Sequence, residues 1–221
     1  MIKRLLIIPA RSGSKRIKNK NIKNFLGRPI IEYPLSEAIK SNLFNKIHIS
    51  TDNYKILDKL KKFKLKKDFL RPKSLSLDSS TLADVIKYVV NKLNQNYDEI
   101  WCILPCSPLI KKDDLIKIAH MFKKTRADHL MTVSSYPCPI EWAYTKKKGY
   151  LIELNKKKIN VPSQNFKEKF YDTGNVYVYK KNFFSKKKIN KIGFNLPNDK
   201  GVDIDTINDW KFAEKIYLLN K

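Results

Sequence analysis

Two clusters of side chains in this 221-residue sequence have the types and spacing to do chemistry. The first is cationic. An apolar run, Leu5 to Pro9, leads directly into Ala10-Arg11-Ser12-Gly13-Ser14-Lys15-Arg16, and Lys20-Asn21 follow closely. Small residues let backbone N–H groups approach an anion, arginine offers a two-pronged donor and lysine a point charge, so the loop suits a polyphosphate. It is neither a Walker loop nor a dinucleotide-binding GxGxxG. Composition alone leaves it open between an anion site and an ordinary basic turn. The second cluster is acidic. Asp203 and Asp205 flank Ile204, and residues at i and i+2 of an extended segment share a face. Two carboxylates placed so repel and raise each other's pKa, and a hard divalent cation removes that conflict. The competing reading makes Asp205, or Thr206, the N-cap of a helix over Ile207 to Leu219. It leaves Asp203 without a purpose.

The elements that must position these clusters follow from hydrophobic periodicity. Leu5 to Pro9, Lys46 to Ser50, Glu99 to Leu104 and Leu130 to Ser134 read as buried strands, with Gly174 to Tyr179 and a weaker Ile192 to Leu196 after them. Ile30 to Lys40, Tyr54 to Lys62, Leu82 to Asn94 and Asp113 to Lys124 have helical spacing. Alternation of this kind predicts an α/β fold, a mostly parallel sheet flanked by helices, with ligands beyond the carboxyl ends of the strands. The chain reads as one domain over residues 1–221. Residues 136–172, rich in prolines, aromatics and lysine runs, read as a hairpin-bearing insertion or dimerisation arm. Asp52, at a strand end, is expected to cap the helix beginning at Tyr54.

Composition excludes several classes. Hydrophobic residues make up 42% of the chain, enough for a core. No apolar run reaches membrane-span length, and the opening run lacks signal-peptide features, so a cytoplasmic protein is expected. Cys102, Cys106 and Cys138 form no zinc-like pairs, and three scattered histidines carry no ligand spacing. The formal charge of +25 raises a basic nucleic-acid-binding α/β protein as an alternative. The lysines are spread along the whole chain with no accompanying motif, so no specific nucleic-acid partner is expected.

The order of motifs adds a resemblance. "IPARSGSKRIKNKNI" followed by "FLGRPII" resembles the opening signature of the sugar-acid cytidylyltransferases. "HISTDN", "FLRPKSLSLDSST", "ILPCSPLIKKDDL" and "GVDIDTINDWKFAEKIY" then fall in that family's order across nearly the whole chain. The resemblance implies a Rossmann-like nucleotidyltransferase fold, CTP as substrate, Mg²⁺ and a homodimer. The reaction it implies is attack by a sugar's anomeric hydroxyl on the α-phosphorus of CTP, with pyrophosphate leaving. Arg11 and Lys20 match the family's triphosphate-contacting positions, with Ala10, Ser12, Gly13 and Asn21 around the nucleotide. Arg71, Asp78, Ser79 and Ser80 would sit beside base or ribose, though Arg71 could equally make a surface ion pair. Asp203 and Asp205 would hold the metal and, with Arg11 and Lys20, form the catalytic set. "YDTGNVYVY" and "SSYPCPIEWAY" resemble the branch acting on pseudaminic acid, a nine-carbon acidic sugar. Leu104 stands where the N-acetylneuraminate branch usually has glutamine. Gln164, Asp172 and Asn175 are the candidates for contacting the acceptor. N-acetylneuraminic and legionaminic acids are the alternative acceptors.

Overall fold

A computed structural model describes residues 2–220. In chain order the strands are β1 (Arg4–Pro9), β2 (Asn24–Phe25), β3 (Arg28–Pro29), β4 (Lys46–Ser50), β5 (Glu99–Ile103), β6 (His129–Ser135), β7 (Tyr144–Lys147), β8 (Tyr150–Glu153), β9 (Phe170–Lys180) and β10 (Lys191–Asn195). The α-helices are α1 (Glu32–Ser41), α2 (Tyr54–Lys59), α3 (Leu82–Leu93), α4 (Lys112–Lys124) and α5 (Ile207–Leu219). Six strands form one sheet in the order β10-β6-β9-β5-β1-β4. β1 runs parallel to β4 and β5, and β10 parallel to β6. β9 alone is reversed, pairing antiparallel with both β5 and β6.

Alternation along the central strands explains why helices cover both faces. Leu6 and Ile8 of β1, with Trp101 and Ile103 of β5, pack into a cluster with Leu35 of α1 and Leu115, Ile118 and Phe122 of α4. Leu5, Ile7, Ile100 and Cys102 point the other way, onto Ile86 and Val89 of α3. Burial on both faces favours apolar side chains on both, which is why residues 5–8 and 100–103 show no polar positions, while the paired Arg4 and Glu99 stand at the strand starts. Thr81 caps α3 through a reciprocal box with Asp84.

A third cluster lies at the carboxyl end of the sheet and builds the site. Ile17 from the cationic loop, Phe25, Ile30, Cys106, Ile204 and Trp210 of α5 pack together. Ile204 is fully buried there, so its two acidic neighbours are left on the open side. Thr206, not Asp205, caps α5, in a box with Asp209. The competing reading of Asp205 as a cap is thereby removed, and its carboxylate lines the cleft. Asp52 does not cap α2 either; Asn53 does, accepting from the Lys55 amide.

Residues 136–172 contain the expected hairpin, β7 against β8, as a separate two-stranded sheet. Its end differs from expectation, because residues 170–172 already belong to β9 and pair with Ser135, Ser134 and Val133 of β6. Among the described residues no helix is long and apolar enough to cross a membrane.

Candidate active site

A cleft of about 380 Å³ opens at the carboxyl ends of β1 and β5. Its lining brings together Arg11, Lys20, Asn21, Arg71, Asp78, Ser80, Asp203 and Asp205 from three distant parts of the chain. This is where doubly wound sheets bind ligands. The cationic loop and the acidic pair therefore face one space, as their chemistry requires.

The loop is held from behind. Asp52 accepts from the Ser12 amide at 2.9 Å and from the Ser12 hydroxyl at 2.8 Å, which fixes the turn after β1. Asn21 donates to the Arg11 carbonyl at 2.8 Å and receives a weak contact from the Cys106 thiol at 3.7 Å. Burial pushes that thiol up to about 12, so Cys106 is a packing residue rather than a nucleophile. Ser12 thus faces Asp52, and Ala10 is buried in the core. Neither lines the cleft, nor do Gly13 and the exposed Ser79. Three cations given no individual role from the sequence lie at or near the site: Lys15 and Arg16 line the cleft, and Lys55 lies in a neighbouring hollow beside Arg11 and Asn21. Their place beside Arg11 in the basic run was the available signal for the first two.

The cations of the cleft pair with its acids. Arg11 pairs with Asp78 at 2.8 Å and Lys15 with the same carboxylate at 2.6 Å. Arg16 reaches Asp205 at 2.8 Å, and Lys20 reaches it at 3.1 Å while donating to the Ile204 carbonyl at 2.7 Å. Arg71 is no surface ion pair. It is only 5% exposed and donates from Nε to the Ser76 hydroxyl at 3.1 Å, while its amide donates to the Thr51 carbonyl. Desolvation is the largest influence on its pKa and lowers it, with Asp52 opposing.

Asp203 makes no hydrogen bond or ion pair among the described residues. Although its carboxylate opens onto the cleft, the walls strip enough water that desolvation, followed by the Asp205 charge, raises its pKa; Lys20 and Arg16 pull the other way. This is the conflict expected of two acids held on one face without a cation. Among the described residues no group of three or more His, Cys, Asp or Glu side chains could hold a metal. Among those residues no protein-only cage exists, and two carboxylates beside a cationic loop fit an ion that keeps most of its waters.

The acceptor candidates do not line this cleft. Gln164 is exposed on the arm. Asp172 is exposed at the start of β9, accepting from the Gly174 amide and the Tyr177 hydroxyl. Asn175 is buried and donates to the Ser107 hydroxyl at 3.2 Å. Gly174, between the last two, does line it.

The sequence model of the family described as cytidylyltransferase matches residues 5–220. The chain belongs to the cytidylyltransferase family. A pseudaminic acid cytidylyltransferase from Campylobacter jejuni subsp. jejuni serotype O:2 is 32% identical over 99% of this chain and 98% of its own length. A CMP-N,N'-diacetyllegionaminic acid synthase from Legionella pneumophila is 26% identical over 98% and 97% of the two chains. Among solved structures, a CMP:2-keto-3-deoxy-manno-octonic acid synthetase complexed with CTP superposes with a TM-score of 0.72 at 14% identity, covering 99% of this chain and all of that one. A 4-diphosphocytidyl-2C-methyl-D-erythritol synthase from Anaerococcus prevotii gives 0.66 at 13% identity, covering 99% of each chain. At those identities the last two establish the nucleotidyltransferase fold only. As a cytidylyltransferase, the chain has its loop, its Arg71 segment and its acidic pair on one cleft.

Proposed function

We propose that this cytidylyltransferase joins CMP from CTP to the anomeric hydroxyl of a nine-carbon nonulosonic acid, pseudaminic acid being favoured, and releases pyrophosphate. The carrying observation is the convergence of Arg11, Lys20, Asp203 and Asp205 on a single cleft, in a family member 32% identical to a pseudaminic acid cytidylyltransferase.

Arg11 and Lys20, helped by Lys15 and Arg16, bind the triphosphate and stabilise charge on the departing pyrophosphate. Asp78 and Asp205, now paired with these cations, release them when phosphate oxygens arrive. Arg71, Asn21 and Ser80 line the nucleotide's side of the cleft. Asp203 and Asp205 would hold Mg²⁺, which supplies charge neutralisation at the phosphates and acidifies an oxygen bound to it. The acceptor enters beside Gly174, the lining residue that lies between Asp172 and Asn175 in sequence. Positioning and electrostatics supply the acceleration, with no covalent enzyme intermediate needed.

The same proposal includes a homodimer and a cytoplasmic location. Support for the dimer comes from the arm: Tyr150, Leu151 and Leu154 are 78%, 68% and 65% exposed on an isolated two-stranded hairpin, an arrangement of marginal stability without a cover. The lysine surplus serves polyanionic substrates and solubility and calls for no nucleic-acid partner. The test is pyrophosphate release with CTP, Mg²⁺ and a panel of purified nonulosonic acids. Turnover fastest with pseudaminic acid is expected; silence on every acid would remove the reading.

A further inference from the structure

The acidic segment needs a seat, and the structure builds one from hydroxyl-bearing residues at an irregularity in the sheet. β6 and β9 change register between Met131 and Val133. Thr132, Ser134 and Thr173 are fully buried at that point. Thr173 donates its hydroxyl toward the Thr132 hydroxyl at 2.8 Å, and the Thr132 hydroxyl accepts from the Val176 amide at 3.0 Å. Ser134 donates to the Leu196 carbonyl at 2.9 Å. The chain leaves β10 at Leu196, turns with Lys200 and Gly201 donating to the Pro197 carbonyl, and returns over this cluster.

Gly201 lies directly on it. A Cβ at this position would stand 2.3 Å from the Ser134 hydroxyl oxygen, 2.9 Å from the Thr173 methyl and 3.3 Å from the Ser134 Cβ. The first two distances are shorter than real side chains tolerate. The φ of Gly201 is not in the left-handed region, so the backbone itself would accept alanine; space alone forbids it. Two residues on, Asp203 rests against the other part of the same irregularity. Its carboxylate atoms lie 3.6 Å from where a Gly174 Cβ would be, and Gly174 has φ +65°. Lys200 is pinned by two contacts to Asp114 of α4, at 3.0 and 2.9 Å, and Ile204 is locked in the core. Between these two anchors Val202 packs on the core cluster and Gly201 lies nearest the sheet, where a side chain would limit how deep the segment sinks.

We propose that Gly201 is a positioning residue for the reaction: its missing side chain lets the backbone settle on Ser134 and Thr173, and that depth places Asp203 in the cleft. The inference rests on the reading of Asp203 as the acidic side of cytidylyl transfer. Substituting Gly201 lifts the segment by the few tenths of an ångström to one ångström needed to clear the Ser134 oxygen. Nucleotide binding through Arg11, Lys20 and Arg71 is left in place.

The test is a space-compensation series on the full chain. Gly201→Ala is expected to lower kcat about 10- to 100-fold, as an ångström-scale misplacement does. KM for CTP, and CTP affinity measured by calorimetry, should stay within about threefold of the parent. Ser134→Ala and Thr173→Ser are expected to keep near-parent kcat alone. Added to Gly201→Ala, they remove the clashing oxygen and methyl and should restore at least half of the lost activity on a logarithmic scale. Parent-like kcat in Gly201→Ala overturns the proposal, as does a loss that the compensating pair fails to restore. If Gly201→Ala does not fold, Ser134→Thr crowds the same seat from the strand side, and parent-like kcat there overturns it equally. Asp203→Asn separates the two readings: full turnover in that variant sinks the acidic-site reading, whereas an inactive Asp203→Asn with an unaffected Gly201→Ala sinks the seat alone.

Discussion

Lys20 Nζ stands 3.1 Å from Asp205 Oδ1, although the two residues are 185 positions apart in the chain. The same ammonium donates to the Ile204 carbonyl at 2.7 Å. This lysine, together with Arg16, ties the cationic loop to the acidic segment across the cleft. It partly neutralises Asp205, and in the proposed reaction its charge would turn to phosphate oxygens. Lys20→Ala should therefore raise KM for CTP about 10- to 100-fold, the loss of one to two charge-assisted hydrogen bonds, or ~1.4–2.7 kcal/mol. Lys20→Arg should recover only part of this, since a planar fork does not replace a compact point charge. Steady-state kinetics with varied CTP measures it, and unchanged KM would move the triphosphate elsewhere.

Asp203 offers a sharper separation of chemistry from stability. Its carboxylate is disfavoured in the fold by lost hydration and by Asp205. A carboxyl whose folded pKa is raised costs stability once ionised, so removing its charge relieves the fold. Asp203→Asn is expected to cut kcat at least ~100-fold, ~2.7 kcal/mol or more of transition-state stabilisation, while thermal denaturation shows an unchanged or slightly higher Tm. Metal removal should act alike: excess chelator abolishes pyrophosphate release, circular dichroism stays constant, and Mg²⁺ restores turnover. Substantial activity in Asp203→Asn would show that the acidic pair does not hold the reaction's metal.

Arg71 and Asp52 show what a linear reading can and cannot see. The sequence run after β4 made Asp52 a helix cap, because the side chain that caps and the one that braces a distant loop look alike until the loop is placed. Asn53 takes the cap, and Asp52 instead receives both donors of Ser12. Arg71 was legible as a site residue from its motif, but its burial was not, because nothing local says that the Ser76 turn folds over it. The strands β1, β4 and β5 were legible within a residue because burial on both faces favours apolar runs. β9, by contrast, begins four residues before the expected Gly174 and α2 ends three before the expected Lys62, since polar and lysine-rich stretches carry no such signal. Gly201 was invisible as a functional position: its importance comes from Ser134 and Thr173, which only the sheet's irregularity brings beneath it. Asn175, expected to face the acceptor, is drawn into the core by Ser107.

The Asp52 brace gives a third prediction. Asp52→Ala frees the Ser12 amide and hydroxyl and removes the charge opposing the desolvation of Arg71. Loss of hydrogen bonds to a charged acceptor predicts destabilisation of about 1.5–3 kcal/mol. Loosening of the loop should also raise KM for CTP several-fold with kcat less affected. Chemical denaturation and kinetics on the same sample check both. A variant with parent stability and parent KM would show that the loop is held by other contacts. Asp52→Asn should fall between, retaining one acceptor oxygen for Ser12.

The last prediction concerns acid. His48 is buried at 2% exposure, with Nδ1 donating to Asp68 at 3.1 Å and, among the described residues, no partner at Nε2. Desolvation is the largest influence on His48 and lowers its pKa, with Asp68 only partly opposing. His129, stacked on Tyr179, is lowered by burial as well. A histidine kept neutral in the fold but free to ionise near its ordinary ~6.5 when unfolded favours the unfolded state as acid is added. Stability from these two residues is thus full above ~6.5 and falls as pH drops below it. Asp68 adds a lower step. Burial would raise its pKa, but Lys46 and His48 outweigh this and hold it below the usual value, so its contribution persists to lower pH and is lost only as pH falls through that depressed pKa. The urea midpoint should therefore decline steadily from pH 7 to pH 5. His48→Asn, which can still donate to Asp68 but cannot ionise, should make that decline shallower. A midpoint independent of pH across this range, or an equal slope in His48→Asn, would show that the buried imidazole is not what acid attacks first.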